Sequence, residues 1–257
     1  MPELDVEISG SGKPLVFIHS LLQDRSSFHE TAQRLSGQRK VCNVNMPGFG
    51  ASTAADHPEG MLAGFADTIA DGLDKLGIGA DADICGNGLG GFVGLTLAIR
   101  HGARFDRLVL VGSAIRFPEA GRQVFRAMAD KAEAEGMDPL ADQAMLRMFP
   151  QSYIDAIPQR IAALKKVFIA INPVVFAAAC RELARLDLAD DLNHVRNPVL
   201  VVVGENDSAT RATLGRALAA ALPDGEIRIL KNAAHAPHMQ EPEKFLAEIA
   251  PFLRLNY

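Results

Sequence analysis

A glycine-rich corner near position 88 has the spacing of a nucleophile-bearing turn but carries no nucleophile. Residues 83–91 read DICGNGLGG, an apolar run that ends in glycines and leads into a helical pattern. A strand–turn–helix unit with the pattern Gly-x-Ser-x-Gly exposes its central hydroxyl for attack on a carbonyl carbon. Here Gly86 and Gly90 keep that spacing, but the central residue is Gly88, which has no side-chain heteroatom. The sequence therefore predicts that no covalent acyl intermediate forms at this turn.

Strand-like and helical patterns alternate on both sides of this corner. The strand-like runs are apolar and rich in β-branched residues; they span 15–18, 41–44, 84–85, 108–111, 199–203 and 227–230. The main helical patterns span 61–76, 92–100, 211–222 and 242–253. Strands that alternate with helices predict an α/β fold with a mostly parallel sheet that is covered on both faces.

The alternation stops between Phe117 and about Val195. This stretch is helix-rich and holds many of the methionines and prolines of the chain. We expect residues 117–195 to form a helical cap, inserted between the sixth and seventh strands of a core made of residues 1–116 and 196–257. Most methionine and phenylalanine side chains of the cap are expected to fill its own interior.

Four segments resemble motifs of the α/β-hydrolase superfamily, and they follow the chain order of that family. Residues 15–20 (LVFIHS) resemble the strand before the oxyanion loop, and residues 45–52 (NMPGFGAS) resemble the Asp-x-Pro-Gly-x-Gly-x-Ser corner, with Asn45 in place of aspartate. Residues 201–207 (VVVGEND) resemble the strand end that delivers the acid, and residues 233–242 (AAHAPHMQEP) resemble the terminal histidine loop. The resemblance covers nearly the whole chain and implies the α/β-hydrolase fold. Within the superfamily, residues 177–188 are similar to the cap of 3-oxoadipate enol-lactonases. The related aminoacrylate hydrolases also lack the serine of the strand–turn–helix unit, which is called the nucleophile elbow.

The resemblance implies roles for five positions. His235 matches the general base, Asp207 matches the acid that orients it, and Gly88 stands at the nucleophile position. The backbone amides of Leu21 and Leu89 match the two donors that hold the oxyanion. Both donors belong to the backbone, so the loss of the serine side chain does not remove them.

The missing serine leaves several functions open. In the first hypothesis, His235 activates a water that hydrolyses a small carbonyl substrate, such as an enol-lactone, an ester or an enamine-like acid. In the second, the protein is catalytically silent and binds a ligand or partner; glycine would then relieve about 1–3 kcal/mol of backbone strain at the elbow. A third uses His235 and Asp207 in a lyase, an isomerase or a cofactor-free oxygenase. A further explanation of Gly88 is a serine that was changed to glycine in the laboratory to trap a ligand.

Further side chains are candidates for the pocket. Ser20 and Ser113 lie at strand ends that face the expected pocket, and His238 is one helical turn past His235. We expect them at most to contact a substrate, since none occupies an elbow. His19 is expected to be structural and to pack under the oxyanion loop. The cationic cap residues could include one that binds a substrate carboxylate; they are Arg122, Arg126, Arg147, Arg160, Lys165, Lys166 and Arg181.

Charge and composition limit the kinds of partner that this chain is expected to bind. The formal net charge of −5 gives no reason to expect nucleic acid or an anionic membrane as a partner, and no apolar run is long enough to span a membrane. Cys42, Cys85 and Cys180 form no Cys-x-x-Cys pair, so neither a disulfide framework nor a zinc site is supported. With no secretory signal visible, we expect a cytoplasmic protein that acts on a small molecule without a metal or cofactor. The oligomeric state stays open.

Overall fold

A seven-stranded sheet forms the centre of the computed structural model, which describes residues 3–54, 60–79 and 81–257. The strands are β1 (Val6–Ser9), β2 (Pro14–Ile18), β3 (Lys40–Val44), β4 (Ala82–Asn87), β5 (Phe105–Val111), β6 (Val199–Gly204) and β7 (Gly225–Leu230). Their order across the sheet is β1-β3-β2-β4-β5-β6-β7; β1 pairs antiparallel with β3, and the other pairs are parallel. The mostly parallel sheet predicted from the sequence is confirmed.

Helices cover both faces of the sheet because successive strand residues point to opposite sides. Helices α1 (His29–Leu35) and α11 (Pro242–Leu253) pack on the face that carries Leu200 and Val202 of β6. Helices α2 (Met61–Lys75), α3 (Leu89–His101) and α9 (Ala212–Ala221) pack on the other face, which carries Val201 and Val203. All six residues of β6 are buried. A strand with both faces covered is expected to be apolar throughout, and this explains the unbroken run VVV.

Five helices lie between β5 and β6: α4 (Glu119–Glu135), α5 (Ala141–Met148), α6 (Gln151–Ala156), α7 (Pro158–Ile169) and α8 (Pro173–Arg185). The chain enters and leaves this region side by side, because Arg116 and Asp187 form an antiparallel bridge and an ion pair of 2.9 Å.

Helix α8 begins after Asn172, whose side chain accepts a hydrogen bond from the Val174 amide, with Pro173 in the first turn.

The position expected for this insertion, between the sixth and seventh strands, is wrong. In the described part of the chain, five strands precede it and two follow, so it lies between β5 and β6. The strand-like pattern also missed β1, because its sequence VEIS offers too short an apolar signal. The antiparallel edge strand β1 is followed directly by β2, which it does not neighbour in the sheet.

The parallel strands place their carboxyl ends at one edge, where short loops follow them. Ser20 comes after β2, Gly88 after β4, Gly112 after β5, Asp207 after β6 and His235 after β7. In open α/β sheets this edge is where ligands bind. The topology thus brings together residues as far apart in sequence as Ser20 and His235.

No single helix among the described residues has the length and apolarity needed to cross a membrane. One bent pair, Pro158–Ile169 with Pro173–Arg185 at 91°, meets the requirement by length and composition alone.

Candidate active site

Asp207 and His235 form a buried acid–base pair. His235 Nδ1 lies 2.8 Å from Asp207 Oδ2, and the Asp207 side chain is fully buried. The second carboxylate oxygen, Oδ1, accepts hydrogen bonds from the amides of Ala209 at 2.8 Å and Thr210 at 2.7 Å. Backbone donors therefore fix the carboxylate, and the carboxylate fixes the ring. With Nδ1–H donating to Asp207, the lone pair of the neutral ring lies on Nε2.

The free nitrogen of His235 is next to Gly88. A Cβ placed on Gly88 would lie 3.0 Å from His235 Nε2 and 3.3 Å from Ser20 Cβ. Gly88 lies between β4 and α3 and has φ 53° and ψ −117°, a conformation that residues with a side chain rarely adopt. The backbone at Gly88 therefore has the sharp turn predicted from the sequence, and His235 Nε2 is directed at the place where a side chain on Gly88 would start.

Gly112, after β5, makes room for the His235 ring. A Cβ at this position would lie 2.7 Å from Cε1 and 2.8 Å from Nδ1 of His235, and the backbone has φ 61°. The Gly112 amide donates to the Val202 carbonyl at 2.9 Å, which holds the loop against β6. The sequence pattern did not single out Gly112, because its role depends on a ring 123 positions later in the chain.

Two backbone amides complete the geometry. Leu21 lies in the loop after β2, and Leu89 is the first residue of α3, directly after Gly88. Both residues line the cavity described below, and among the described residues neither amide donates a hydrogen bond. The amides of a first helical turn lack partners within the helix, and the helix dipole favours negative charge there. The two amides are thus available to an oxyanion.

His19 holds the loop after β2, which carries Leu21, through hydrogen bonds of both its ring nitrogens. Its Nδ1 lies 2.8 Å from the Ser20 carbonyl oxygen, while Nε2 accepts from the Met46 amide at 3.1 Å. A ring that donates at one nitrogen and accepts at the other is neutral. Burial lowers the pKa of His19 to about 4, so the ring stays neutral at physiological pH. This arrangement agrees with the structural role expected for His19.

Asn87 is a further residue at the site that the sequence analysis did not identify. Its buried Nδ2 donates to the His235 carbonyl at 2.9 Å and lies 3.4 Å from the Val111 carbonyl. Gln240 ties the same loop from the other side, since its Oε1 accepts from the Ala234 amide at 2.9 Å. The elbow motif leaves the residue before Gly88 unspecified, so only the fold shows that Asn87 anchors the histidine loop.

The cavity beside Gly88 is roofed by the inserted helices and is mainly apolar. The space open to the centres of water-sized atoms is about 30 Å³, and the wider space of about 400 Å³ around it includes open solvent. Its apolar walls include Leu21, Leu22, Leu89, Phe92, Phe125 and Met128. Polar atoms come chiefly from Ser20, Thr210, His235 and Arg147. A mostly apolar cavity with a few convergent polar groups is typical of a small-molecule site.

Two of the three expected pocket residues lie outside this cavity. Ser20 is in the wall, and its Oγ accepts from the Leu22 amide at 3.1 Å. Ser113 instead packs behind the elbow, where a Cβ on Gly91 would meet its Oγ. His238 stacks on Phe28 with ring centroids 4.1 Å apart and is buried. The helical turn of α10 (Pro237–Gln240) directs its side chain away from the cavity, so His238, a candidate for the pocket from its sequence position, is not part of the described lining.

The cysteines are not reactive groups of this site. All three are buried, and none lines the cavity in the described part of the chain. Burial raises the pKa of Cys42 to about 11 and of Cys180 to about 12, and it raises the pKa of Cys85 as well. The thiolate form that acts as a nucleophile is therefore disfavoured at each of them.

Comparisons with known proteins show what the whole chain is similar to. The model of the alpha/beta hydrolase family matches residues 15–249. The chain is 28% identical to 3-oxoadipate enol-lactonase 1 of Acinetobacter baylyi, over 98% of this chain and 93% of that protein. It is also 28% identical to the pimeloyl-[acyl-carrier protein] methyl ester esterase of Vibrio cholerae, over 96% of each. The solved enol-lactonase of Burkholderia xenovorans LB400 superposes with a TM-score of 0.89 at 28% identity, over 98% of this chain and 96% of that one.

Proposed function

The chain belongs to the alpha/beta hydrolase family, and we propose that it hydrolyses a small carbonyl substrate with a water activated by His235 rather than with a serine. The relatives with similar sequences are hydrolases of small substrates, an enol-lactonase and a methyl ester esterase among them. An enol-lactone or a small ester is therefore the substrate class of this proposal.

The observation that carries the proposal is the position of His235 Nε2, 3.0 Å from where a Cβ at Gly88 would stand. The accepting nitrogen lies beside the elbow, and the elbow itself has no side chain. A water in this place can donate a proton to Nε2 and direct a lone pair at a carbonyl carbon between the amides of Leu21 and Leu89. General-base catalysis of this kind contributes about 10²–10⁴-fold in rate.

The reaction balances without a covalent enzyme intermediate. His235 Nε2 takes a proton from the water while the water oxygen bonds to the carbonyl carbon. The carbonyl π electrons move to the oxygen, and the amides of Leu21 and Leu89 stabilise that oxyanion. When the intermediate collapses, the bond to the leaving oxygen breaks, and protonated His235 returns the proton to that oxygen. Asp207 stabilises the imidazolium that exists between the two transfers.

The Asp207–His235 pair favours this function over a catalytically silent scaffold. A protein released from catalysis has no need of a buried carboxylate that accepts three hydrogen bonds and orients one ring. One oxygen of the carboxylate is held by two backbone amides and the other orients the ring, which is the arrangement that a general base needs.

The proposal is tested with a panel of enol-lactones and small activated esters. We expect His235→Gln to lower kcat by about 10²–10⁴-fold, because glutamine cannot accept and return the proton. Asp207→Asn should have a similar effect, because the amide no longer fixes the tautomer of the ring. His238→Gln, which changes a histidine outside the cavity, is the matched control and should keep most of the activity. Hydrolysis that persists unchanged in His235→Gln would contradict the proposal.

A further inference from the structure

One cap cation differs from the others in its surroundings. Arg126 pairs with Glu119, Arg160 with Glu30, Lys165 with Asp142, and Arg181 with Asp130 and Glu133. Arg122 donates to the Phe117 carbonyl, and Lys166 lines a groove on another side of the molecule. Arg147, near the end of α5, is the cap cation that lines the cavity beside Gly88.

The guanidinium of Arg147 has no anionic partner among the described residues. No hydrogen bond or ion pair engages it there, and its recorded contact is with the ring of Phe125, 5.4 Å from the centroid. Asp207 acts on it electrostatically, but both oxygens of that carboxylate already accept hydrogen bonds. Burial lowers the pKa of Arg147 below its usual range, as it does for a cation that lacks compensation. An unpaired, partly buried guanidinium is costly, and a bound anion would offset the cost.

We propose that Arg147 determines substrate specificity by binding a second, unreacting carboxylate of the acyl substrate, in a bidentate pair. The substrate class is then a short acid whose free carboxylate meets Arg147 while its ester or lactone carbonyl lies beside Gly88 and His235. A planar guanidinium suits a carboxylate, since two parallel N–H groups meet two oxygens. This assignment names the substrate class of the proposed hydrolysis and so rests on it.

The rest of the described lining suits the middle of such a molecule. Leu89, Phe92, Phe125 and Met128 offer apolar surface to a short hydrocarbon segment. Arg147 and His235 are the ionisable residues of the described lining, and no carboxylate lines it. The charge arrangement therefore favours an anionic substrate over a neutral one of equal size.

The test compares two esters that differ mainly in the terminal carboxylate: the mono-4-nitrophenyl ester of adipic acid and 4-nitrophenyl hexanoate. We expect kcat/KM of the wild-type protein to be at least about tenfold higher for the anionic ester. Arg147→Met keeps the apolar stem and removes the charge, so it should abolish that preference, mainly through KM. Arg147→Lys keeps the charge but loses the planar pair of N–H donors, so it should retain part of the preference for the anionic ester. Arg126→Met, in the same cap, should leave both rates unchanged.

A binding measurement separates this inference from the proposed reaction. The probes are 4-oxopentanoate and hexane-2,5-dione, a neutral ketone of the same length with no hydrolysable bond, titrated calorimetrically into the wild-type protein and Arg147→Met. We expect the anion to lose at least about tenfold in affinity in the variant and the neutral diketone to change little. Equal losses for both probes, or for both esters, would show that Arg147 is structural and would overturn the assignment. If neither ester is hydrolysed while the binding difference is present, the hydrolysis proposal fails and the carboxylate site stands.

Discussion

At the scale of single residues, the proposed mechanism depends on Gly88. A serine Oγ that bonds to a histidine needs its Cβ farther from the ring than the 3.0 Å at which a Cβ on Gly88 would lie. The ring of His235 therefore lies closer to the elbow than a serine would allow. The arrangement suits a base that acts on water, and a serine placed here has to displace the ring by a few tenths of an ångström.

Gly88→Ser tests this arrangement. We expect the variant to show burst-phase release of 4-nitrophenol from an activated ester, because the hydroxyl, His235, Asp207 and the two amides would then form the complete constellation. The free energy of unfolding should fall by about 1–3 kcal/mol, because serine enters a backbone conformation that disfavours side chains. Stopped-flow absorbance gives the burst, and urea unfolding gives the stability.

Gly88→Ala is the control for the serine variant. Alanine brings the same strain and the same contact with His235 Nε2, but it has no hydroxyl. We expect an equal loss of stability, no burst, and slower turnover than in the wild-type protein because the methyl group takes the place of the water. A burst in the alanine variant or in the wild-type protein would show that another residue is the nucleophile.

At the scale of elements, the loops after the strands position His235. The loop that carries it is tied to the turn at Gly88 by Asn87 and to the inserted helices by Tyr153, whose hydroxyl donates to the Met239 carbonyl at 3.1 Å. The Ala236 amide also donates to the Met148 carbonyl of helix α5 at 3.4 Å. The loop that carries His235 thus has contacts with both the sheet and the inserted helices.

Asn87→Ala tests the tie between elbow and loop. The His235 carbonyl loses its donor at 2.9 Å, so the ring should shift relative to the cavity. We expect kcat to fall by about 10–100-fold with a smaller change in KM, because a displacement of about 1 Å can cost that much in rate. Steady-state kinetics measure the split. Lys231→Ala, on an exposed part of the same loop, is the control, and equal effects of the two variants would contradict a specific role for Asn87.

The sequence could predict elements more readily than contacts. Periodicity placed α11 at its observed bounds and α2 within one residue, because their buried faces repeat along the chain. It missed β1, since four residues with a glutamate carry too little pattern. Asn87 and Arg147 were not singled out from their neighbours, because their partners come from distant segments. Only the three-dimensional fold distinguishes Arg147 from the other cationic cap residues.

At the scale of the whole molecule, two buried neutral histidines affect stability. His19 has partners at both nitrogens, whereas the ring nitrogens of His238 have none among the described residues. His238 lies against Phe28 and Phe245, and burial lowers its pKa to about 3, with His235 and Arg160 nearby. Because the folded pKa lies below the ordinary value of about 6.5, the unfolded chain binds more protons in acid. Stability is present above pH 6.5 and is lost as the pH falls.

His238→Phe tests this linkage. Phenylalanine keeps the ring contacts but does not titrate, so the variant should lose less stability in acid. Between pH 7 and pH 5 we expect its free energy of unfolding to fall by about 2 kcal/mol less than that of the wild-type protein. This is the effect of roughly one proton that the unfolded wild-type chain binds at His238 between pH 6.5 and pH 5. Urea unfolding at the two pH values gives both numbers. Parallel acid losses in the two proteins would contradict the assignment of this proton to His238.

The central claim, hydrolysis by water without an acyl-enzyme, is tested most directly by the mass of the whole protein during turnover. The wild-type protein is mixed with an excess of a substrate from the active panel, quenched with acid at millisecond intervals, and analysed by intact mass spectrometry, with product measured in the same samples. We expect acid product to appear linearly from the first time point while the protein mass stays constant, and Gly88→Ser to gain the mass of the acyl group under the same conditions. An acyl adduct on the wild-type protein at any residue, Ser20 included, or a product burst that precedes steady turnover, would contradict direct attack by water.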